Sequence, residues 1–418
     1  MDQQTVPPRA APRSARLPLS GLLALAASGF LTATLETMPA GILPAMSAGL
    51  GVSEVAAGQT VTVYALGSIA GAIPIISATA GWPRRRLLVM ALVGYLATVL
   101  VVAVSPSFAL TLVARFITGV FAGVMWGILA GYASRMSPPE HRGRGLAIAL
   151  SGPPVAMAFG TPLGALLASA VGWRVTFLAM AILVAAVLVW VRAVVPDFPG
   201  QGKSERMSIA RTVRLPGVAA VITASVLLIM GHYALYTYAS SVLSARGMAG
   251  SVSAFLLTFG VCALLGLWGT GVLVDRHLRG LMVVGVLVLA AGMLGLGLLV
   301  QSPVALFLSA AVWGLGFGGA GTAIPQTALT NAAGAAVDTA QAVLVTGWNL
   351  GIAAGGVIGG SVVAGIGSGA LPFVTLAFLV PVFAIVVVAR RHGFPRPGLR
   401  ISRIGTASDT SPSTEAFS

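Results

Sequence analysis

Charge is what this sequence has least of. Asp, Glu, Lys and Arg make up 8% of its 418 residues, and hydrophobic residues 57%. A soluble domain carries roughly a quarter charged residues to keep its surface in water, so a soluble fold is excluded. Acids are scarcer than bases, 10 against 24 Lys and Arg. The single cysteine, Cys262, sits in an apolar run. Neither an intrachain disulfide nor a cysteine-rich metal site is available to it, and it reads as a small core residue. The sequence also lacks an H-E-x-x-H helix pair, a G-x-S-x-G turn and a G-x-x-x-x-G-K-S/T loop, which leaves metalloprotease, hydrolase and ATP-driven chemistry without their residues. No enzyme and no cofactor are expected.

What the sequence has in quantity is long apolar runs. Stretches of about 20 residues, such as Leu87 to Val104 and Leu281 to Val300, suffice at about 1.5 Å rise per residue to cross a bilayer core. Twelve are placed at 19–45, 57–78, 87–104, 108–134, 145–170, 174–195, 214–243, 250–273, 281–300, 304–328, 338–366 and 371–391. The formal charge of +14 would suit a nucleic-acid binder if the bases formed one face. They alternate instead. With the residues before Leu17 assigned to the cytoplasm, 21 of 24 Lys and Arg fall on that side, in groups of 3, 3, 3, 5, 2 and 5. Arg174 and Arg246 fall outside, and Arg115 lies within a span. This positive-inside bias predicts a multi-pass protein in a lipid bilayer with both termini cytoplasmic and no nucleic-acid partner. Arg9, Arg13 and Arg16 ahead of an apolar stretch could be mistaken for a secretory signal, but the stretch runs on to about Ala45 without a convincing cleavage site and is taken as span one.

The longest polar interruption, Pro196 to Arg214, contains Asp197, Lys203, Glu205, Arg206 and Arg211 and divides the spans six and six. The expected architecture is an all-α integral membrane fold, twelve transmembrane helices as two six-helix bundles. A basic cytoplasmic tail over 1–16 precedes an N-terminal bundle over 17–195, a cytoplasmic linker over 196–213, a C-terminal bundle over 214–391 and a Ser-, Thr-, Pro- and Gly-rich disordered tail over 392–418. Aligning Gly71 with Gly266 sets an offset of 195 that carries Gly119, Gly123, Gly152, Gly160, Gly164 and Gly172 onto Gly314, Gly318, Gly347, Gly355, Gly359 and Gly367. Six of twelve further glycines match where chance predicts two or three, which supports an internal duplication.

Several motifs carry mechanism. At the inner end of span eight, Gly271-Val-Leu-Val-Asp275-Arg276-His277-Leu-Arg279 resembles the major facilitator loop signature G-x-x-x-D-R-x-x-R. An Asp among arginines at a helix end can bond a neighbouring helix terminus and act as a breakable latch. The first-half copy runs from Gly71 to Arg84, Arg85 and Arg86 but places Ala80 where the acid belongs, and Glu140, in a loop with Arg142, is the expected source of a replacement anion. In span four, Arg115-Phe-Ile-Thr-Gly119-Val-Phe-Ala-Gly123 looks like the family's R-x-x-x-G-x-x-x-G element, whose arginine the resemblance links to proton transfer; snorkelling to the interface is the alternative. Span five contains Gly152-Pro153-Pro154 and Gly160-Thr-Pro162-Leu-Gly164 and resembles the antiporter signature of the drug:proton branch, which implies export and close packing against the other half.

Span one carries Thr34-Leu35-Glu36-Thr37-Met38-Pro39-Ala-Gly41-Ile-Leu43-Pro44, with Glu36 the only acid placed deep in a span. Such a carboxyl group suits proton coupling or cation binding, with a neutral structural role as the alternative. Span seven reads Gly231-His232-Tyr233-Ala-Leu-Tyr236-Thr237-Tyr238, where His232 and Tyr236 share a helix face suited to a proton relay or substrate contact, or to a satisfied core histidine. Both stretches resemble sugar, drug and nucleoside efflux permeases of the arabinose-efflux and chloramphenicol-resistance type. Tyr233, Trp126 and Asn349 are further cavity candidates, explained equally well by packing. The resemblance, which runs from Leu17 to Arg391, implies a monomeric major facilitator transporter in a bacterial inner membrane. It would export a drug, sugar, nucleoside or metabolite against protons, with Glu36, Arg115 and His232 in coupling and the proton gradient as its only drive. A proton-independent uniporter or importer, or a membrane-embedded sensor, is the alternative.

Overall fold

The computed structural model describes residues 17–79, 81–200, 208–299 and 302–394. The tail expected over 1–16, Ala80, the middle of the linker and the tail from 395 onward lie outside the described residues. Among the described residues, ten helices are long and apolar enough to cross a membrane. Glu54–Ala78, at 25 residues, adds another crossing, and one of the ten crosses twice.

That double crossing is Val252–Leu298, 47 residues long. It bends at His277, whose φ of −132° and ψ of 30° leave the helical region. Gly314 and Gly319 of span ten sit against Phe259 and Thr270 of the first arm, while Trp313 and Ala320 sit against Gly292 and Gly285 of the second. The first arm therefore runs in the direction of span ten and the second against it. Spans eight and nine, expected as separate helices with a turn between, are joined through the signature residues themselves. No proline or glycine pair interrupts the helical run there, so one distorted residue suffices to turn the chain.

Span one is Leu19–Leu50, span three Arg84–Val104, span four Phe108–Met136 and span six Trp173–Val194. Span five, Arg142–Val171, and span ten, Pro303–Ala333, each contain a π-helical turn, at Ala156–Gly160 and Gly319–Ala323. Pro162 and Pro325 follow within two residues. A proline offers no N–H to the carbonyl four residues back, and the loosened ladder admits the wider turn. Span seven is Val218–Tyr236 continued by Ala239–Ser244, and Val337–Gly365 and Leu371–Val388 complete the set.

The duplication is physical. Gly71 packs on the backbone of Val120 and Gly119 on that of Tyr64; Gly266 packs on Leu315 and Gly314 on Phe259, each partner 195 residues on. Gly172 and Gly367, at the same offset, both take positive φ, 87° and 102°, in the turns before spans six and twelve, a region that L side chains avoid. In lipid, such glycines let helix backbones approach closely enough for dispersion to hold them.

The bundles meet at the end away from the termini. The buried ring of Tyr238 fills a slot between Gly58 of span two and Gly359 and Gly360 of span eleven. Its hydroxyl accepts from Gln59 Nε2 at 3.2 Å and donates to the Gly356 carbonyl at 3.1 Å. Ser241 donates to the Glu54 carboxylate. Pro44 leaves the Ala40 carbonyl of span one without its helical donor, and Ser240 of span seven supplies one at 2.9 Å. Toward the termini the last helix ends at Val388. The chain continues in a turn closed by the N–H groups of Gly393 and Phe394 on the Ala389 carbonyl at 3.1 and 3.0 Å, because the apolar Phe394 is buried rather than left in water.

Candidate functional site

Proline chemistry also builds the centre. Pro39 sits inside span one, so the carbonyl of Leu35 has no helical N–H to accept from. Arg115 of span four supplies it: Nη1 donates to the Leu35 carbonyl at 2.5 Å, Nη2 to the Glu36 carbonyl at 3.5 Å and Nε to the Thr60 carbonyl of span two at 3.2 Å. Its guanidinium lies over the Tyr64 ring at 4.5 Å, and Tyr64 in turn donates to the Thr32 carbonyl at 3.1 Å and shares a 2.8 Å hydrogen bond with Tyr95. Arg115 is 1% exposed, so it does not snorkel. The cationic side chain repairs the broken backbone of span one and so fixes the residue beside the break.

That residue is Glu36, 7% exposed. Its carboxyl lies close to Tyr233 of span seven and Trp126 of span four, with the Arg115 charge nearby. One carboxyl group thus stands where the two bundles face each other. Around it Thr37 shares a 2.6 Å hydrogen bond with Thr161 of span five, and Tyr236 lies alongside Thr161. Glu36, Arg115, Tyr233, Tyr236 and Trp126 are therefore brought together. Asn349 is buried, its Nδ2 donating back to the Val345 carbonyl at 3.0 Å and its Oδ1 unpaired.

His232 is set in an aromatic cluster. Its ring stacks on Phe317 at 3.7 Å between centroids and on Tyr236 at 5.1 Å, with Phe259 and Trp313 completing the walls. Trp313 Nε1 donates to His232 Nδ1 at 3.2 Å, and His232 Nε2 is buried without a partner. The N-terminal bundle thus brings charge to the centre and the C-terminal bundle brings rings.

One expectation is corrected. Gly152, Gly160 and Gly164 face span one of their own bundle, against Phe30, Thr34 and Met38, rather than the other half. The close approach between bundles comes instead from Gly260 of span eight, on the backbone of Met157 and Ala158 within the π turn, whose extra residue turns that stretch outward. Beside the acid-less first signature, Asp197 accepts from the Arg85 N–H, at the start of span three, at 3.0 Å, while the Arg84 N–H donates to the Phe198 carbonyl at 2.8 Å. Arg135 Nη1 and the Tyr132 hydroxyl secure the same strap on the carbonyls of Pro199 and Pro196. The Glu140 side chain lies outside the described residues, and Arg142 is exposed. In the second signature Arg279 donates to the Val387 carbonyl at 3.2 Å, and Asp275 and Arg276 are exposed and bond nothing among the described residues.

Tyr238, Ser240, Trp313, Phe317 and Asp197 were not singled out from sequence for these roles. For Ser240 and Arg115 a signal existed on the other partner: a proline four residues past the carbonyl each one bonds.

Comparison with known proteins agrees with this arrangement. Residues 25–356 match the model of the Major Facilitator Superfamily. A chloramphenicol efflux pump of Mycobacterium tuberculosis (strain CDC 1551 / Oshkosh) is 31% identical over 351 residues, covering 81% of this chain and 84% of the pump. A purine ribonucleoside efflux pump of Escherichia coli (strain K12) is 28% identical over 285 residues, covering 68% and 72%. The crystal structure of a D-xylose-proton symporter superposes with a TM-score of 0.73 over 89% of this chain and 97% of that one, at 17% identity, a likeness of fold. This chain belongs to the Major Facilitator Superfamily. It is a multi-pass membrane transporter of small molecules, not an enzyme.

Proposed function

We propose that this protein exports a small organic solute in exchange for protons by alternating access, as a single chain in a bacterial cytoplasmic membrane with both termini inside. The observation that carries the reading is the Glu36 carboxyl, buried at the junction of spans one, four and seven beside Tyr233 of the other bundle. An ionised carboxylate accepts a charge-assisted bond from that hydroxyl and balances Arg115; a protonated one does neither as well. Loading and unloading a proton therefore changes how strongly the bundles hold one another at mid-depth, the kind of bias that rocking needs. The named activities of the relatives support export, and 21 of 24 Lys and Arg on one side support the orientation. No cofactor is called for, since the proton gradient supplies the work.

Chloramphenicol, handled by the first relative, is the probe for a test in reconstituted vesicles. With the lumen acidic, the native protein should concentrate the labelled compound. Glu36→Gln should still exchange labelled for unlabelled compound but fail to concentrate it. A Gln variant that concentrates it as well as the native protein refutes the assignment.

A further inference from the structure

A cavity of about 340 Å³ lies at the end of the molecule that carries the termini, between the start of span seven and the turn after span twelve. Arg390, Arg391 and His392 line it together with Val388 and Ala220, and among the described residues no acid does. The bases are held on a fixed turn: the Gly393 and Phe394 N–H groups close on the Ala389 carbonyl at 3.1 and 3.0 Å, and Gly217, at a φ of 88°, packs on the His392 carbonyl. A side chain at Gly217 would strike that carbonyl, so the glycine lets the two elements close round the cavity. Carbonyls at the end of a helix ordinarily repel an anion. Here Arg279 covers that of Val387 at 3.2 Å, and the two amides cover that of Ala389. On the opposite wall Ala220 belongs to the first turn of the 19-residue helix Val218–Tyr236, where amides lack acceptors within the helix and the dipole favours negative charge.

The rim supplies the other half of the chemistry. Val388 is 79% exposed and Val380 66%, and with the exposed Ala384 they form an apolar row at a spacing of four along span twelve. On a membrane-spanning helix such a row faces acyl chains, so the three bases stand at the head of a lipid-facing stripe. A soluble phosphate would use the bases and leave the row idle, whereas a phospholipid uses both. We propose that the cavity seats the headgroup of an anionic phospholipid, its phosphate on Arg390 and Arg391 and an acyl chain along Val380, Ala384 and Val388. Guanidinium groups offer paired N–H donors to phosphate oxygens, and a zwitterionic headgroup would bring its own cation against them. The lipid ties the start of span seven to the end of span twelve. It serves an exporter and an importer alike.

The test titrates the full chain in detergent and counts retained lipids by native mass spectrometry, with dioleoylphosphatidylglycerol as the anionic probe, dioleoylphosphatidylcholine as the zwitterionic one and inorganic phosphate as the soluble one. The first phosphatidylglycerol should bind at least about fivefold more tightly than phosphatidylcholine, and an equal concentration of phosphate should not displace it. Arg390→Gln/Arg391→Gln should weaken phosphatidylglycerol about fivefold to thirtyfold, at roughly fivefold for each base beside an anionic headgroup. Arg142→Gln/Arg144→Gln removes the same charge from exposed positions of the other bundle and should leave that affinity close to native. Ala220→Met keeps every charge but fills the cavity, and should weaken phosphatidylglycerol several-fold; if it does not fold, the two Gln pairs decide. Phosphatidylglycerol that binds no better than phosphatidylcholine overturns the inference. So does an equal loss in both Gln pairs, the mark of diffuse charge attraction, or native affinity in a folded Ala220→Met. Displacement by phosphate gives the cavity to a soluble anion and overturns it as well.

Discussion

Removing one oxygen from Tyr238 should open the end of the molecule away from the termini. In Tyr238→Phe the ring still fills its slot between Gly58, Gly359 and Gly360, so packing is kept. One hydrogen bond between the bundles disappears, from Gln59 Nε2 at 3.2 Å, while the bond to the Gly356 carbonyl lies within the C-terminal bundle and is lost in both states. At about 0.6 kcal/mol for a side-chain hydrogen bond in a membrane protein, the closed state loses about 0.6 kcal/mol, roughly a threefold shift in population. Spin labels at Ser169→Cys and Gly369→Cys, on exposed turns of opposite bundles, in a Cys262→Ala background, would read the separation of that end by dipolar spectroscopy. A second, longer distance should grow about threefold relative to the short one. An unchanged distribution in a correctly folded variant would refute the idea that this tyrosine clamps the bundles.

Arg115→Lys keeps the charge but cannot serve the Leu35, Glu36 and Thr60 carbonyls together, so it should lower stability by about 2 kcal/mol in denaturant titration, and Arg115→Met by more; equal stability of all three proteins would show that span one does not depend on this repair. Asp197→Ala should remove the cap on span three at a cost of about 1 kcal/mol, raising hydrogen exchange in residues 84–88 about fivefold, with Asp197→Asn close to native. Exchange rates that do not respond to either change would leave the strap over 196–199 without a holding role.

The span pattern was legible because lipid imposes a single demand, twenty or so apolar residues per crossing, and because charge placement reports sidedness independently of shape. The two outer bases that broke the charge pattern prove to be staples: Arg174 donates to the Ser105 carbonyl at 2.9 Å and Arg246 to the Leu296 carbonyl at 2.7 Å. Glu36 and Arg115 stood out for the same reason, since charge at that depth needs partners. The partners themselves were less visible. Asp197 lies 112 residues from the amide it caps, and no spacing rule links them. The glycines of span five announce close packing without saying on which side, and one distorted residue at His277 replaced an expected turn. The aromatic cluster around His232 drew on three spans, so only the residues of span seven itself could be read as a face.

The most direct measurement of the central claim is proton release on cargo binding. Purified protein in weakly buffered detergent solution, with a pH indicator, receives a saturating amount of cargo, and the change is titrated back with base. Coupling through Glu36 predicts close to one proton set free per molecule bound at mildly acidic pH, and none from Glu36→Gln although it still binds. Equal release from both proteins, or binding by the native protein with no release at any pH, would contradict it.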